Sequence, residues 1–268
     1  MVELFEQTVR TNDRQSSKGN QLKWYDHETW FKADYAGYEG LTECVCSCLM
    51  KKSTLLEKEY VLYAPEEIRY KGKVYRGCSS RNFLPEGWQL ITLERLFKNV
   101  YGKSLYESLY RIQEPEQRLR FLVDQTQRIT DLDDFGAYMS RLLTIDAFFL
   151  NEDRHTHNIG VLLDEDNRYH CCPVFDNGAG LLSDTTLDYP LDGDVETLIK
   201  TVEAKTFCRD FDEQLDIAEK LYGRHLTFAF DEKDMERAVE SVNLYPEAMR
   251  KRVLQVLRWQ RRKYAYLF

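Results

Sequence analysis

The sequence has no long hydrophobic run and no leader-like start. No apolar stretch approaches the ~20 residues that a membrane-spanning helix needs, and the first six residues have neither the basic start nor the apolar centre of a signal peptide. The seven cysteines are an odd number and follow no disulfide framework, which is typical of a reducing compartment. We therefore expect a cytoplasmic protein with free thiols and no membrane span.

A surplus of positive charge is also missing. The formal net charge is −8, whereas binding to phosphate backbones needs a concentrated basic surface. The most basic tract, residues 258–263, is better explained as the exposed face of a last helix. Nucleic acid is therefore not expected as the main partner.

The Cys-x-x-Cys spacing of zinc sites is absent as well. Cys171 and Cys172 follow a segment that holds His155, His157 and His170, so a small metal site there is left open as a minor alternative.

The chain has no internal repeat and no low-complexity linker, and its pattern changes once along its length. Strand and turn signals dominate the first part, and helical signals dominate from Thr92 onward. The predicted strands are residues 21–24, 29–32, 60–63 and 73–75, with a helix at 41–52 among them. The first predicted helix of the later part starts at Thr92. The others cover residues 114–129, 133–150, 207–222, 232–242 and 246–266. A predicted strand-turn-strand segment at 159–175 lies between the third and the fourth of these helices.

This pattern predicts an α+β fold with two lobes, a small β-rich lobe with one helix and a larger, mainly helical lobe. A chain of 268 residues exceeds the usual size of a single domain. The polar stretch around Gly87 is the predicted boundary, which gives residues 1–87 and 88–268. In such an architecture ATP binds between the lobes.

Two short motifs indicate the chemistry. Asp153 and Asn158 stand five residues apart after an apolar helix, and Asp176 follows a short apolar strand in Phe-Asp-Asn-Gly. Transfer of the γ-phosphoryl group of ATP uses one carboxylate that accepts the proton of the attacking hydroxyl, and an amide and a carboxylate that hold Mg²⁺. We interpret Asp153 as the catalytic base and the other two residues as metal ligands.

Each motif alone has an ordinary structural explanation. Asp153 could cap a turn, and Asp-Asn-Gly sequences readily form hairpins. The presence of both motifs around a predicted strand-turn-strand segment favours the metal site.

The two motifs resemble those of the HipA-like serine/threonine kinases and, more distantly, of the phosphatidylinositol 3- and 4-kinases. Residues 16–23, Ser-Ser-Lys-Gly-Asn-Gln-Leu-Lys, are similar to the family's phosphate-covering loop, and residues 77–84 fall where the family joins its lobes. The resemblance implies a bilobal protein-kinase-like fold, ATP and Mg²⁺ as cofactors, and a protein Ser/Thr hydroxyl as acceptor. Family members often carry an extra N-terminal domain that this sequence lacks, so an antitoxin or regulatory partner is left open.

In the loop, Gly19 would let the backbone approach a phosphate, assisted by Lys18 or Lys23. By resemblance, Ser16 could be self-phosphorylated, and Ser17 is an equal chemical candidate. The added charge there would repel the phosphates of ATP.

Lys32, at the end of an aromatic strand, could reach the α- and β-phosphates. A helix glutamate should orient it. Glu39 and Glu43 share one helix face, and the resemblance favours Glu43. The alternative is a surface Lys–Glu pair without a function.

The remaining candidates surround these groups. Adenine is expected near residues 78–83, where Ser80 and Phe83 are the named contacts. His155 is placed at the nucleotide site and is expected to brace the catalytic loop. Asp146 is expected to accept hydrogen bonds from that loop, and Arg154 is a possible substrate or phosphate contact.

The sequence therefore favours an ATP- and Mg²⁺-dependent serine/threonine protein kinase. One rival is a lipid or small-molecule kinase, although the acidic chain is a poor match for anionic membranes. The other rival is a non-catalytic nucleotide-binding module, which would have no need of the base Asp153.

Overall fold

A computed structural model describes residues 1–4 and 21–268. The predicted phosphate-loop residues Ser16, Ser17, Lys18 and Gly19 lie outside the described residues. The described part is an α+β structure, which confirms the predicted class. Its strands are β1 Val2–Glu3, β2 Lys23–Asp26, β3 Thr29–Ala33, β4 Ala64–Tyr70, β5 Lys73–Arg81, β6 Gln89–Thr92, β7 Gly160–Leu163 and β8 Tyr169–Cys171. Its α-helices are α1 Glu39–Met50, α2 Leu93–Tyr101, α3 Leu105–Tyr110, α4 Pro115–Thr130, α5 Phe135–Phe149, α6 Val195–Ile199, α7 Phe211–Tyr222, α8 Glu232–Glu240 and α9 Glu247–Lys263.

The chain divides into two compact units. Unit 1 comprises Met1–Phe83, Phe175–Val202 and Thr227–Phe268, and unit 2 comprises Leu84–Val174 and Glu203–Leu226. The first break falls close to residue 87, but two later segments also belong to unit 1. The functional lobes 1–87 and 88–268 remain a prediction.

Unit 1 is built on a five-stranded sheet in the order β1-β4-β5-β3-β2. Two hairpins, β2–β3 and β4–β5, turn through residue pairs with positive φ, His27-Glu28 and Lys71-Gly72. Such turns match the right-handed twist of paired strands. Apolar side chains of the strands, together with Leu4 after β1, form a small core on this sheet. Its members are Leu4, Trp24, Phe31, Ala33 and Ile68.

Helix α1 packs on β4 and β5 and is buried over most of its length. Gly40 permits this approach, because a Cβ atom there would lie 2.6 Å from the backbone of Gly77 in β5. Helix α1 also contacts α8, which packs on α9. The helix therefore holds its polar residues in a fixed position over the sheet.

The predicted strand at 60–63 is wrong, since the strand begins at Ala64. The physical reason is a helix contact: the backbone N–H of Tyr63 donates to Ser47 Oγ in α1 at 3.1 Å. Residues 60–63 therefore lie against α1 and do not join the sheet, apart from a single bridge residue at Tyr60.

Unit 2 is mainly helical, with the three-stranded sheet β6-β7-β8. Helix α5, which is buried on nearly all sides, packs on α4 and α7. Two predicted helix starts are confirmed, since Thr92 Oγ1 accepts from the N–H of Arg95 at the start of α2 and Pro115 opens α4. The helix predicted from residue 207 begins only at Phe211, because Asp210 caps it there by accepting the N–H of Glu213. The short helices α3 and α6 were not predicted, because six and five residues hold too little periodic pattern.

Within the described ranges, no helix combines the length and hydropathy needed to cross a bilayer.

Candidate active site

In unit 1 the strand lysine, the helix glutamate and the second-motif aspartate form one ion cluster. Lys32 Nζ donates to Glu43 Oε1 at 2.7 Å and to Asp176 Oδ1 at 2.8 Å. The side chains of Lys32 and Glu43 are 12% and 2% exposed, respectively. A pair this buried differs from the exposed Lys–Glu pair that the sequence left open, since exposed pairs contribute only ~0–1 kcal/mol.

The second carboxylate oxygen of Glu43 accepts the backbone N–H of Asn177 at 2.9 Å. Glu43 therefore binds the lysine of β3 and the segment after Asp176 at the same time. Glu39 has a different role, because its carboxylate accepts the N–H groups of Tyr35, Ala36 and Gly37 in the loop before α1. The geometry selects Glu43 as the partner of Lys32.

Asp176 has a strained backbone. Its φ is +60°, in the left-handed region that residues with a side chain seldom occupy. Two residues on, Gly178 lies so close to α1 that an added Cβ would be 3.3 Å from Glu39 and 3.4 Å from Glu43. Packing against α1 therefore holds the Phe-Asp-Asn-Gly segment in place, and such strain is common at functional sites.

Charge keeps Lys32 protonated. Burial by itself lowers the pKa of Lys32, but the carboxylates of Asp176 and Glu43 together outweigh it, so this pKa lies well above its usual value. Lys23, opposite Lys32 in the β2–β3 pair, adds a second cation at 3.8 Å from Asp176 Oδ2. Two lysines thus face one carboxylate at the predicted phosphate site.

Tyr63 belongs to the same cluster and was not predicted. Its hydroxyl accepts from Lys32 Nζ and from the backbone N–H of Asp176, each at 3.4 Å. Lys32 Nζ lies 5.0 Å from the centre of its ring. No sequence signal could have identified Tyr63, because its position depends on the segment 60–63 following α1.

The predicted adenine contacts lie in unit 1. Ser80 pairs with Trp30 in the β3–β5 register. The ring of Phe83 lies 5.4 Å from that of Phe175, the residue before Asp176. The structure thus brings Phe83 next to the segment of the predicted metal ligand Asp176, while adenine binding by Ser80 and Phe83 remains a prediction.

In unit 2 the predicted base and the predicted amide ligand form a closed turn. Asn158 Nδ2 donates to the backbone oxygen of Asp153 at 2.8 Å and to its carboxylate at 3.1 Å. The turn is closed further by backbone bonds from His155 to Asp153 and from Asn158 to His155. Asp153 and Asn158 are therefore held together with the carboxylate partly exposed.

His155 takes the bracing position. Burial and the neighbouring His157 lower the pKa of His155 to about 4, so the ring is neutral at pH 7. Its Nδ1 accepts the backbone N–H of His157 at 3.2 Å. The contact of 3.7 Å to Asp153 is therefore not a full ion pair, and a direct nucleotide contact by His155 remains a prediction.

A buried ion pair with α5 holds this turn in place. Arg154 Nε donates to both carboxylate oxygens of Asp146 in α5, at 3.0 and 3.1 Å, and Asn151 donates to the same group at 2.9 Å. Arg154 also donates to the backbone oxygen of Asn158 at 3.2 Å. The expected role of Asp146 is seen, whereas a substrate or phosphate contact by Arg154 is contradicted, because its side chain is 2% exposed and directed at α5.

Thr206 also anchors the catalytic loop. Its buried hydroxyl donates to the backbone oxygen of Arg154 at 2.7 Å. Thr206→Val keeps the shape and removes the donor, which leaves a buried carbonyl without it. We expect the free energy of unfolding to fall by about 1–3 kcal/mol. Urea denaturation measures this, with Thr201→Val as the control, because the Thr201 hydroxyl bond is exposed. Equal losses in the two variants would contradict the role of Thr206.

The two predicted metal ligands are oxygen donors of the kind that Mg²⁺ prefers. In unit 2 the amide nitrogen of Asn158 is used toward Asp153, so its amide oxygen is the atom that a metal ion would contact. In unit 1 the carboxylate of Asp176 offers oxygens of the same kind, and metal binding by either residue remains a prediction. The Cys/His alternative finds no support, since in residues 1–4 and 21–268 no three His, Cys, Asp or Glu side chains group to hold a metal ion. A site made of one asparagine and one aspartate does not count as such a group of three.

The fold is kinase-like. Among solved structures, the chain is similar to the proinflammatory kinase CtkA of Helicobacter pylori, with a TM-score of 0.59, 14% sequence identity, and coverage of 98% of this chain and 95% of that one. At this identity the similarity shows the fold alone. No family model matches the sequence, and no curated protein is similar to it. The predicted protein-kinase-like fold is confirmed, and membership of the HipA-like group stays a prediction.

Proposed function

We propose that the protein is an ATP- and Mg²⁺-dependent kinase of HipA-like type that phosphorylates serine or threonine hydroxyls of proteins. The observation that carries the proposal is the Lys32–Glu43–Asp176 cluster. A phosphotransferase of this class needs an oriented lysine beside a metal-binding aspartate. The kinase-like fold supports the same interpretation.

The proposal gives each group one task. Lys32, oriented by Glu43, neutralises charge on the α- and β-phosphates. Asn158 and Asp176 would hold Mg²⁺, which supplies charge neutralisation on the β- and γ-phosphates when bound. Asp153 orients the acceptor hydroxyl and accepts its proton as the phosphoryl group leaves ADP.

Three finer points belong to the proposal. We place the enzyme in the cytoplasm, in keeping with an odd number of cysteines that follow no disulfide framework. We assign self-phosphorylation to Ser16 or Ser17, where added charge would repel ATP phosphates. We expect no nucleic acid as main partner, and copurification would identify an antitoxin or regulator that binds the protein.

The test is incubation of the full chain with γ-labelled ATP, with and without Mg²⁺, alone and with cell lysate. We expect label on the protein itself and on lysate proteins, only with Mg²⁺. Mass spectrometry then locates the label on serine or threonine. Label on extracted lipid alone would favour the lipid-kinase rival, and nucleotide binding without any transfer would favour the non-catalytic module.

A further inference from the structure

Unit 2 has a cavity that the proposed chemistry does not use. It has a volume of about 520 Å³ and is open to solvent between the start of α2 and the α2–α3 connection. Four basic side chains and two carboxylates line it, together with two serine hydroxyls and His157. The basic residues are Arg95, Lys98, Lys103 and Arg111. A basic excess here is notable because the whole chain carries a net charge of −8.

The four cations of this cavity, which we call the basic pocket, have no carboxylate partner among the residues that the structure describes. Elsewhere in unit 2 comparable side chains are paired, as in Arg120–Glu116 and Lys220–Glu116. Cations gathered around one concave surface without partners repel each other. An anion bound there would remove that repulsion and gain several charge-assisted hydrogen bonds.

The two carboxylates of the lining differ. Glu94 is already bound by the N–H groups of Leu105 and Tyr106, at 3.1 and 3.0 Å, and by the hydroxyl of Thr156 at 2.9 Å. Both carboxylate oxygens of Glu94 already accept hydrogen bonds from these groups, so Glu94 competes little with an anion for the basic side chains of the pocket. Glu107 is exposed at the rim.

These same bonds connect the basic pocket to the catalytic loop. Thr156 lies between Asp153 and Asn158, and its backbone oxygen accepts the N–H of Glu94 at 3.2 Å. The next residue, His157, is itself a lining residue. A group bound in the pocket therefore lies beside the segment that carries the proposed base, and a substrate of the proposed kinase has to approach that segment.

We propose that the basic pocket binds an anionic side chain of the substrate protein, with phosphoserine as its best ligand, and so selects acceptor sites that already have a phosphorylated residue nearby. This inference rests on the proposed kinase function and adds a substrate class to it. A phosphate dianion matches the several donors better than a single carboxylate does. A recessed cavity with a carboxylate at its rim, in an acidic chain, is a poor surface for anionic membranes.

The test uses the full chain and pairs of serine peptides. Each pair carries phosphoserine or alanine at one position, moved stepwise up to about six residues on either side of the acceptor, a reach of about 20 Å. We expect phosphoserine at one or two adjacent positions to lower KM about tenfold or more, with kcat little changed. Raised salt should weaken this preference.

The pocket variant is Arg95→Ala/Lys103→Ala. It should lose the preference and keep its rate on the alanine peptides. The control Arg128→Ala/Arg209→Ala changes the charge of unit 2 equally at exposed residues outside the pocket and should keep the preference. Urea unfolding of each variant is measured in parallel. If the pocket variant is misfolded, Lys98→Ala/Arg111→Ala takes its place.

A second readout needs no catalysis. Fluorescence anisotropy without ATP should show tighter binding of the phosphoserine peptide than of the alanine peptide, and the pocket variant should abolish the difference. Binding without transfer on any peptide would overturn the kinase function and leave the ligand class of the pocket standing. Transfer without preference would overturn the pocket proposal alone. Inhibition by vesicles of phosphatidylserine that the pocket variant relieves would also overturn it in favour of a membrane.

Discussion

Replacing Asp153 by asparagine is expected to lower phosphoryl transfer at least ~10²-fold while ATP binding persists. Asparagine has the same shape and can still accept the hydrogen bond from Asn158 Nδ2 that closes the turn. It cannot take up the proton of an attacking hydroxyl. Single-turnover transfer of labelled phosphate measures the loss, and binding of a fluorescent ATP analogue measures the nucleotide affinity.

The control for this substitution is Asp124→Asn. Asp124 lies exposed on α4 in the same unit, so the control removes one carboxylate without touching the catalytic loop. It should transfer phosphate like the unchanged protein. An Asp153→Asn protein that binds ATP and transfers at the normal rate would show that Asp153 is a turn-capping residue only.

The sequence predicted most of the fold because its long elements carry their own signals. The hairpin at residues 26–29 and the helix starts at Thr92 and Pro115 rest on local turn and cap chemistry. The strand at 60–63 was wrong because a bond between Tyr63 and Ser47 overrides local strand preference. Contacts between distant segments leave no local pattern.

The candidate site was predictable to the same degree. Asp176 was predicted from a local motif, Lys32 from its aromatic strand, and Glu43 from its helix and the family resemblance. The structure places the three side chains within hydrogen-bonding distance. Tyr63 and the buried orientation of Arg154 were missed. Both depend on tertiary packing, because an arginine in a polar loop is normally exposed. The basic pocket was missed for the same reason, since it gathers residues from α2, the α2–α3 connection, α3 and the catalytic loop.

Lys32→Met should have the largest combined effect, on stability and on catalysis. The substitution leaves Glu43, with a 2% exposed side chain, without its cation. Breaking a buried ion pair from one side costs about 3–5 kcal/mol, since the remaining charge is uncompensated. Transfer should fall at least ~10²-fold, because no cation then reaches the phosphates from β3. Urea denaturation and labelled-phosphate transfer measure the two losses.

The double variant Lys32→Met/Glu43→Gln separates the two roles. It removes the buried charge that the single variant leaves, so much of the lost free energy of unfolding should return, while transfer should stay low. The amide oxygen that this substitution introduces in α1 can still accept the N–H of Asn177, and Lys23 still faces Asp176, so the segment after β8 keeps its anchor.

Lys52→Met is the matched control, since Lys52 also binds a carboxylate, that of Asp234 at 2.9 Å, but its own side chain is 51% exposed. We expect a loss of about 0–1 kcal/mol and normal transfer. Should the double variant recover transfer together with stability, Lys32 would be a structural partner of Glu43 and no phosphate ligand. The kinase proposal would then lose the observation that carries it, because the unit 1 cluster would be explained by folding alone.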